Sequence, residues 1–485
     1  MLKTRDGLAW SGTALGKKAV RLLVASILIV GFTVFLWPDT FLGGTQIQLA
    51  PNITVSTSIA CDVDVARLAR LGVHKLSKFT QREVVALPSR AKLPITQKLD
   101  FPLWETSWMK RSDQGQDQDQ DEVDYSPNGC LNPNPIALEF PEPPKRADAS
   151  HIDFGVATTV KRLNDSLDAF SHWAGYTNTR IFALLEPGQY IPEVQARADA
   201  MGIDLYISES SEEYNKRYFS LIPLLHKNQR PETRWACIID DDTFFPSMSA
   251  LVDALAGYND TAPIYLGGVS ESIRQIATFG MMAYGGAGVF LSRPLLEALN
   301  TAYPECQFMD TTGDKKISKC IYQNTAVRLT IDHRLRQLDM MGDVSGFFEA
   351  GRPLPLSLHH WKSWFHADMA KLSVVADICG DSCLLHQWQF TDGWILTNGF
   401  SIIHRGTDLA PNDHSIEDTW DSDQDDASQE AFLHELGPLR GKDTSKVSYL
   451  LQDAFLDHHD GSVHQWYIRR DPSRGAEILE LIWRP

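Results

Sequence analysis

The sequence has 485 residues, which is enough for two or three domains and one large hydrophobic core. Its 62 acidic residues outnumber its 45 lysines and arginines, so the formal net charge is −17 at pH 7. This acidic balance argues against nucleic acid as the main partner, because nucleic acid attracts proteins through positive charge.

The N-terminus contains an almost uninterrupted apolar run from residue 19 to residue 37. Roughly 20 apolar residues span a bilayer as a helix, so we expect a transmembrane signal-anchor over 19–37 behind a cytosolic tail of residues 1–18. Basic residues precede the run and none follows it closely, which predicts a single-pass type II membrane protein with its main part in the lumen. A cleaved signal peptide is the alternative, but no small-x-small site follows the run closely.

A lumenal position predicts oxidised cysteines and N-linked glycans. Proximity along the chain favours three disulfides: Cys306 with Cys320, Cys379 with Cys383 and, more loosely, Cys61 with Cys130. Sequence alone does not fix this connectivity. Cys237 is then left over and is expected to be a small buried apolar residue. Sequons for N-linked glycosylation occur at Asn52, Asn164 and Asn259.

Residues 38–148 have the composition of a lumenal stem of low complexity. They include an Asp/Gln-rich run over 112–122 and a proline-rich stretch over 141–144. Segments this polar stay solvated and act as spacers. We expect at most a short helix within about 60–90.

Apolar strands alternate with helices over residues 149–370. The strands are predicted at 152–157, 180–185, 203–207 and 235–239. The helices between them are predicted at about 158–173, 192–201 and 214–226. This alternation predicts an α/β fold with a parallel, doubly wound sheet. Residues 371–485 contain several short strand patterns around an acidic loop, and they predict a small, mainly antiparallel C-terminal β extension without chemistry of its own.

The strand predicted at 235–239 is followed directly by three carboxylates, Asp240, Asp241 and Asp242. A buried strand that ends in acidic residues brings negative charge to the carboxyl edge of a sheet, where open α/β folds bind ligands. Grouped carboxylates are costly to bury unless a cation neutralises them. Oxygen ligands suit a hard ion such as Mn²⁺ or Mg²⁺, which also binds phosphate. A chance acidic triplet in a solvated loop is the alternative.

Three later segments add candidate site residues. A glycine-rich loop could let a sugar or diphosphate approach the backbone closely, although glycine turns are common; it consists of Gly285, Gly286, Ala287 and Gly288. Asp314 stands just before a predicted helix, where it could be a general base or only the helix N-cap. His359 and His360 lie on an apolar segment, where they could ligate a metal or be structural.

Five motifs follow one another along the chain: Trp-x(4)-Asp-Asp-Asp-Thr, Gly-Gly-Ala-Gly, Cys-x(7)-Asp-x(5)-Cys, Gly-Asp-x-x-Gly and Ser-Leu-His-His. In this order they resemble the Fringe-like glycosyltransferases of glycosyltransferase family 31, with the closest likeness to fungal and plant members. The resemblance extends over roughly residues 151–365.

The resemblance implies a GT-A-like doubly wound mixed sheet that uses Mn²⁺ (or Mg²⁺) and a UDP-sugar donor. It implies that Asp314 is the catalytic base and that Asp242 ligates the metal. Asp240 and Asp241 would contact or support the nucleotide, with Asp240 also a candidate metal ligand. His359 matches the metal-binding histidine best and His360 stays possible. The first strand-to-helix loop would contact the nucleotide through Thr158, Thr159 and Arg162. Many relatives carry a second acid after the base, whereas this chain has Lys315.

The function expected from these observations is inverting transfer of a hexose or N-acetylhexosamine to a glycan or glycoprotein acceptor, with a β1,3 linkage implied by the resemblance. The expected location is the Golgi membrane, with the endoplasmic reticulum as a second possibility. One alternative is a non-catalytic lumenal relative that binds sugar nucleotide or glycan. A second alternative is a metal-dependent phosphohydrolase, although the chain lacks the spread of His and Asp ligands that two-metal sites need.

Overall fold

The computed structural model describes residues 53–57, 59, 61–104, 130–132, 134–188, 190–311, 313–406, 415–421 and 431–485. The expected cytosolic tail, the apolar run over 19–37, the sequon at Asn52 and the Asp/Gln-rich run lie outside these residues. Among the helices that are described, none combines the length and apolar character that a membrane span requires.

The strands of the described residues are numbered in chain order: β1 Thr54–Val55, β2 Lys75–Ser89, β3 Thr96–Lys98, β4 Ile136–Pro141, β5 Ile152–Thr158, β6 Arg180–Leu185, β7 Asp204–Glu209, β8 Trp235–Ile239, β9 Tyr265–Gly267, β10 Val289–Ser292, β11 Leu329–Ile331, β12 Gln387–Gln389, β13 Trp394–Thr397, β14 Ser401–His404, β15 Ile416–Glu417, β16 Leu439–Arg440, β17 Val447–Leu456, β18 Val463–Asp471 and β19 Gly475–Arg484.

The α-helices are numbered in the same way: α1 Val65–Arg70, α2 Val160–Ala174, α3 Ile191–Ala200, α4 Tyr214–Phe219, α5 Leu221–Lys227, α6 Met248–Leu255, α7 Ile273–Phe279, α8 Arg293–Cys306, α9 Gly313–Asn324, α10 Ser345–Phe348, α11 Met369–Ser373, α12 Ala376–Cys379 and α13 Leu433–Leu436. The glycine-rich loop forms a 3₁₀ turn over Gly285–Ala287.

A seven-stranded mixed sheet carries the candidate site, with strand order β11-β9-β10-β8-β5-β6-β7. Its central strands β5 and β8 pair in parallel, and every residue of both is buried. Strands covered on both faces need uninterrupted apolar runs, and this is why the sequence predicted β5, β6 and β8 closely. The helix expected over 214–226 is two helices, α4 and α5, that meet at Ser220. The α/β prediction is confirmed, and the sheet is mixed because β10 runs antiparallel to β8 and β9.

A second sheet combines the two flanks of the α/β part. Its main strand order is β1-β2-β19-β18-β17-β14-β13-β12-β3, and β4 also pairs with β2. The prediction of a spacer over 38–148 is therefore wrong for β2, β3 and β4, whereas the short helix expected within about 60–90 is found as α1. Leu76, Phe79 and Val84 of β2 are buried in hydrophobic clusters, and β2 pairs with β19 along most of its length. The C-terminal strands are thus one part of a larger sheet and not a separate small extension.

Covalent links agree with the sequence-based pairing. The three predicted disulfides form, namely Cys61–Cys130, Cys306–Cys320 and Cys379–Cys383. Cys237 is a buried free thiol, as expected. The first disulfide lies beside a hydrophobic cluster that includes both flanks of the chain.

Candidate functional site

The candidate site is a cleft at the carboxyl edge of the seven-stranded sheet, where β5 and β8 end. Its volume is about 380 Å³. It is lined by Thr158, Thr159, Arg162, Tyr214, Asp240, Asp241, Asp242, His359, His360, Ser363 and Trp364. The structure therefore brings together eight residues that the sequence predicted from three separate segments. This edge of an open α/β sheet is where such folds bind ligands.

Asp241 is the buried carboxylate of the triplet whose charge the protein itself balances. Arg162 donates to its two oxygens from Nε at 2.7 Å and from Nη2 at 2.5 Å, and the hydroxyl of Thr158 also donates to it. The Lys362 ammonium is 3.6 Å away. A bidentate arginine pair is strong and directional. Asp241 is thus held by protein cations, whereas the sequence had assigned it to the nucleotide.

Asp240 and Asp242 converge on one nitrogen of His359. The Nε2 atom of His359 lies 3.1 Å from Asp242 Oδ1 and 3.4 Å from Asp240 Oδ2. Burial alone would lower the pKa of His359, but the two carboxylates raise it to about 10. Burial would likewise raise the pKa of Asp242, yet the hydrogen bond with His359 holds it well below its usual range. A proton on His359 therefore supplies the positive charge that these carboxylates require.

The His360 ring lies against the His359 ring, with centroids 3.7 Å apart, on a backbone that is left-handed at His360, with φ of 60°. Its Nε2 lies 3.1 Å from Asp339 Oδ1, and its Nδ1 lies 3.2 Å from Ser363 Oγ. The ring stacks on Trp364 with centroids 4.0 Å apart. Ligand atoms of Asp242, His359 and His360 lie within 4.8 Å of one another. Both nitrogens of His360 already have partners, whereas Nδ1 of His359 has none among the described residues.

The glycine-rich loop serves the protein's own side chains. A Cβ on Gly286 would lie 2.0 Å from Nδ1 of His359, and a Cβ on Gly285 would lie 2.4 Å from the hydroxyl of Tyr218. From the sequence we expected a sugar or diphosphate to lie close to the backbone of this loop, but the His359 ring and Tyr218 occupy that space. Ala287 donates its N–H to Gln337, and Gly288 has a φ of 98° that favours glycine. Of the four loop residues, none lines the cleft formed by the described residues.

Asp314 lies on the other side of the same loop, in the first turn of α9. Its Oδ2 accepts the N–H of Gly285 at 3.0 Å, and its Oδ1 accepts the N–H of Lys315 at 2.7 Å. Burial raises its pKa, the Gly285 hydrogen bond opposes this, and the charge of Asp240 adds to the rise, giving about 6. A carboxyl that titrates near neutral pH suits a general base. The general-base role of Asp314 stays a prediction.

The donor set tests whether a divalent cation fits here. Two carboxylate oxygens and one imidazole nitrogen converge, and this combination suits Mn²⁺ and related ions. Asp242 and His359 are buried and Asp240 is partly exposed, and a cation could supply the positive charge in this group in place of the proton. The residues present therefore fit a divalent ion.

Sequence reasoning overlooked several residues around this group. Lys362, Ser363 and Trp364 follow the histidine pair directly, and Ser363 donates to Asp242 Oδ2 at 2.9 Å. Asp339 holds His360 from a separate loop. Polar residues inside the aromatic run over 361–364 were the available signal for the first three. No comparable signal marked Asp339.

Comparison with known proteins gives partial likenesses. The sequence family described as "Protein of unknown function, DUF604" matches residues 275–376, which include Asp314 and both histidines. Chondroitin sulfate synthase 2 of Mus musculus is 32% identical over 104 residues, which cover 20% of this chain and 13% of that protein. The chain thus matches about an eighth of the length of this curated relative.

Similar solved structures include two glycosyltransferases. GlyE of Streptococcus pneumoniae has a TM-score of 0.30 and 12% identity, with 46% of this chain and 58% of that chain covered. Mouse xyloside xylosyltransferase 1 has a TM-score of 0.28 and 11% identity, with 43% and 97% covered. Likeness at these scores is too low to assign the fold.

Proposed function

We propose that this protein is an inverting glycosyltransferase of GT-A type that transfers a hexose or N-acetylhexosamine from a UDP-sugar to a glycan or glycoprotein acceptor, with a β1,3 linkage. The observation that carries the proposal is the pairing of two acid groups across one backbone loop. Asp240 and Asp242 meet at His359, a Cβ on Gly285 would lie 3.6 Å from Asp240 Oδ1, and Asp314 accepts the N–H of the same Gly285.

Asp240, Asp242 and His359 are the residues that would hold a divalent cation, Mn²⁺ or Mg²⁺. When bound, this ion would neutralise charge on the diphosphate of the leaving group. His359 would have to lose its proton to bind the ion, so cation binding should release a proton and weaken in acid. His360 is assigned to orientation, because Asp339 and Ser363 hold both of its ring nitrogens.

The donor nucleotide is assigned to the first strand-to-helix loop. Arg162 lines the cleft, and because Asp241 occupies its Nε and Nη2, its Nη1 is the donor we assign to a diphosphate oxygen. A neighbouring cleft of about 560 Å³ shares Thr159 and is also lined by Val160 and Tyr190. Its apolar side chains suit the flat base of a nucleoside.

Asp314 is assigned the role of general base. It would accept the proton of the acceptor hydroxyl while that oxygen forms a bond to C1 of the sugar. The bond between C1 and the diphosphate oxygen breaks on the opposite face, so the anomeric configuration inverts. One base is enough for this single displacement. A pKa of about 6 leaves Asp314 mostly unprotonated at neutral pH.

A lumenal, single-pass type II arrangement in the Golgi or endoplasmic reticulum is part of the proposal. The three disulfides support it, because disulfides persist in oxidising compartments. Asn259 is exposed, which suits an N-linked glycan. Asn164 lines the cleft assigned to the nucleoside, so a glycan at Asn164 would compete with donor binding.

The proposal is tested by release of UDP from a panel of UDP-sugars, using the full-length protein with Mn²⁺ or with EDTA. We expect release from one donor, and loss of this release both in EDTA and in Asp242→Ala. The matched control is Asp253→Ala, which removes an exposed carboxylate on α6 and should leave release unchanged. Binding of UDP without turnover of any donor would favour a non-catalytic binding protein. Phosphate release without retention of UDP would favour a phosphohydrolase, and absence of UDP binding would overturn the proposal.

A further inference from the structure

Tyr214 is a cleft residue to which no role has yet been assigned. It is the first residue of α4, and it lines the candidate cleft together with Arg162 and Asp240. Its side chain is 47% exposed, whereas Tyr218, one turn further along α4, is 3% exposed. Among the residues that the structure describes, none forms a hydrogen bond with the Tyr214 hydroxyl. The cleft therefore contains a phenol whose donor and acceptor capacity is unused.

Tyr218 connects Tyr214 to the backbone that holds the candidate base. The centroids of the two tyrosine rings are 6.2 Å apart. A Cβ on Gly285 would lie 2.4 Å from the Tyr218 hydroxyl, and a Cβ on Gly313 would lie 3.5 Å from Tyr218 Cδ1. Gly285 donates its N–H to Asp314, and Gly313 directly precedes Asp314 in the chain. Tyr214 is thus packed on a residue that contacts the backbone on both of these segments.

The charges around Tyr214 come from both acid groups of the proposed mechanism. Desolvation in the cleft raises the pKa of Tyr214 most, and the charge of Asp240 raises it further. Asp241 and Asp314 act in the same direction, and Arg162 opposes them. The phenol therefore keeps its proton at neutral pH and can donate a hydrogen bond to a ligand oxygen.

We propose that the Tyr214 hydroxyl donates a hydrogen bond to an oxygen of the sugar that is transferred, an inference that rests on the proposed glycosyltransferase function. The diphosphate is assigned to Arg162 and the cation, and the attacking hydroxyl is assigned to Asp314. The C1 atom of the donor sugar must therefore lie between these groups. Tyr214 lines the cleft beside Arg162 and is linked through Tyr218 to the backbone around Asp314, so it lies along this path. Hexose hydroxyl and ring oxygens are acceptors for a phenol, and UDP without its sugar has none of them at this position.

The test compares the binding of UDP with that of UDP-glucose, UDP-galactose and UDP-N-acetylglucosamine to full-length protein, by isothermal titration calorimetry with Mn²⁺. No acceptor is added, so the donor is not consumed by transfer. We expect Tyr214→Phe to weaken the binding of the preferred UDP-sugar roughly two- to ten-fold, as for loss of one hydrogen bond, and to leave UDP binding unchanged. The matched control is Tyr206→Phe, which removes an exposed phenol on β7 that lines neither the candidate cleft nor the neighbouring one. It should change neither affinity.

Two results in Tyr214→Phe would overturn the inference. Unchanged binding of the UDP-sugar would mean that the hydroxyl does not contact the donor, and equal weakening of UDP and UDP-sugar would place the contact at the nucleotide. Wild-type protein that binds UDP but none of the three UDP-sugars would also refute it, while leaving a nucleotide site in place. Wild-type protein that binds neither UDP nor any UDP-sugar would refute the proposed function itself.

Discussion

Replacing Gly286 with alanine would place a methyl group inside the ring of His359. The Cβ would lie 2.0 Å from Nδ1 and 2.2 Å from both Cε1 and Cγ, whereas real Cβ atoms essentially never approach closer than 3.0 Å. The ring is buried, and its other nitrogen is fixed by Asp240 and Asp242. Either the ring or the 3₁₀ turn must therefore move by about 1 Å.

A shift of this size is large compared with the tolerance of a metal site, in which ligand distances vary by about 0.2 Å. We expect Gly286→Ala to weaken Mn²⁺ binding by at least about ten-fold, as disturbed ligand support does elsewhere. Overpacking should also reduce the free energy of unfolding by about 1–3 kcal/mol. UDP release should fall with the loss of the metal.

The assay is titration of Mn²⁺ into full-length protein, followed by its electron paramagnetic resonance signal, with denaturant unfolding of the same samples. Gly441→Ala is the matched control, because a Cβ there meets no atom within 4 Å and its φ is not left-handed. Wild-type Mn²⁺ affinity in a folded Gly286→Ala protein would refute the role given to His359.

Four further predictions concern acidic side chains. As the pH falls through about 6, kcat/KM should fall because Asp314 becomes protonated. A cation bound at Asp240 would remove part of the repulsion that raises the pKa of Asp314, so the midpoint of this fall should lie at or below pH 6. Asp314→Asn should abolish transfer at every pH while UDP binding survives, and loss of UDP binding would make Asp314 structural. Burial raises the pKa of Glu271 from 4.5 to about 7, so between these values the folded chain keeps a proton that the unfolded chain has lost, and stability falls as the pH rises. The effect of Glu271→Gln on the free energy of unfolding should therefore be more stabilising at pH 8 than at pH 4, by at most about 3 kcal/mol. Denaturant unfolding at the two pH values measures this difference. An equal effect at both would contradict the raised pKa of Glu271. Asp241→Asn should cost about 1–3 kcal/mol by leaving Arg162 and Lys362 without their partner, yet it should leave Mn²⁺ affinity nearly unchanged; a loss as large as that of Asp242→Asn would make Asp241 a ligand.

The α/β part of the fold could be predicted because its central strands are buried on both faces. Strand β8 is an uninterrupted apolar run that ends at the acidic triplet. The sequence therefore predicted both the position of the strand and the carboxyl edge of the sheet where the triplet lies. The second sheet was not predicted, because β2 pairs with a strand near the other end of the chain; Leu76, for example, lies opposite Ala476. Local pattern does not encode a partner that is so distant. The strongly polar run over 112–122 also made the whole segment resemble a spacer.

The sequence predicted which residues form the site as a group, but it did not predict which partner each side chain contacts. The sequence could not show that Arg162 pairs with Asp241, or that Asp240 and Asp242 contact His359 instead. The resemblance favoured His359 over His360 as the metal-binding histidine, and the structure gives the two rings different partners: Asp240 and Asp242 for His359, Asp339 and Ser363 for His360. The glycine motif was recognised, but its purpose depends on which ring lies above it. Such choices follow from tertiary packing, and spacing along the chain carries no information about them.

The central claim is that Asp240, Asp242 and His359 hold the cation while His360 only orients the site. The most direct measurement is Mn²⁺ binding to full-length wild type, His359→Ala and His360→Ala, followed by electron paramagnetic resonance in the presence of UDP. The account predicts one bound Mn²⁺ in wild type, a clear loss of affinity in His359→Ala and retention in His360→Ala. Retention in His359→Ala, or equal loss in both variants, would contradict it.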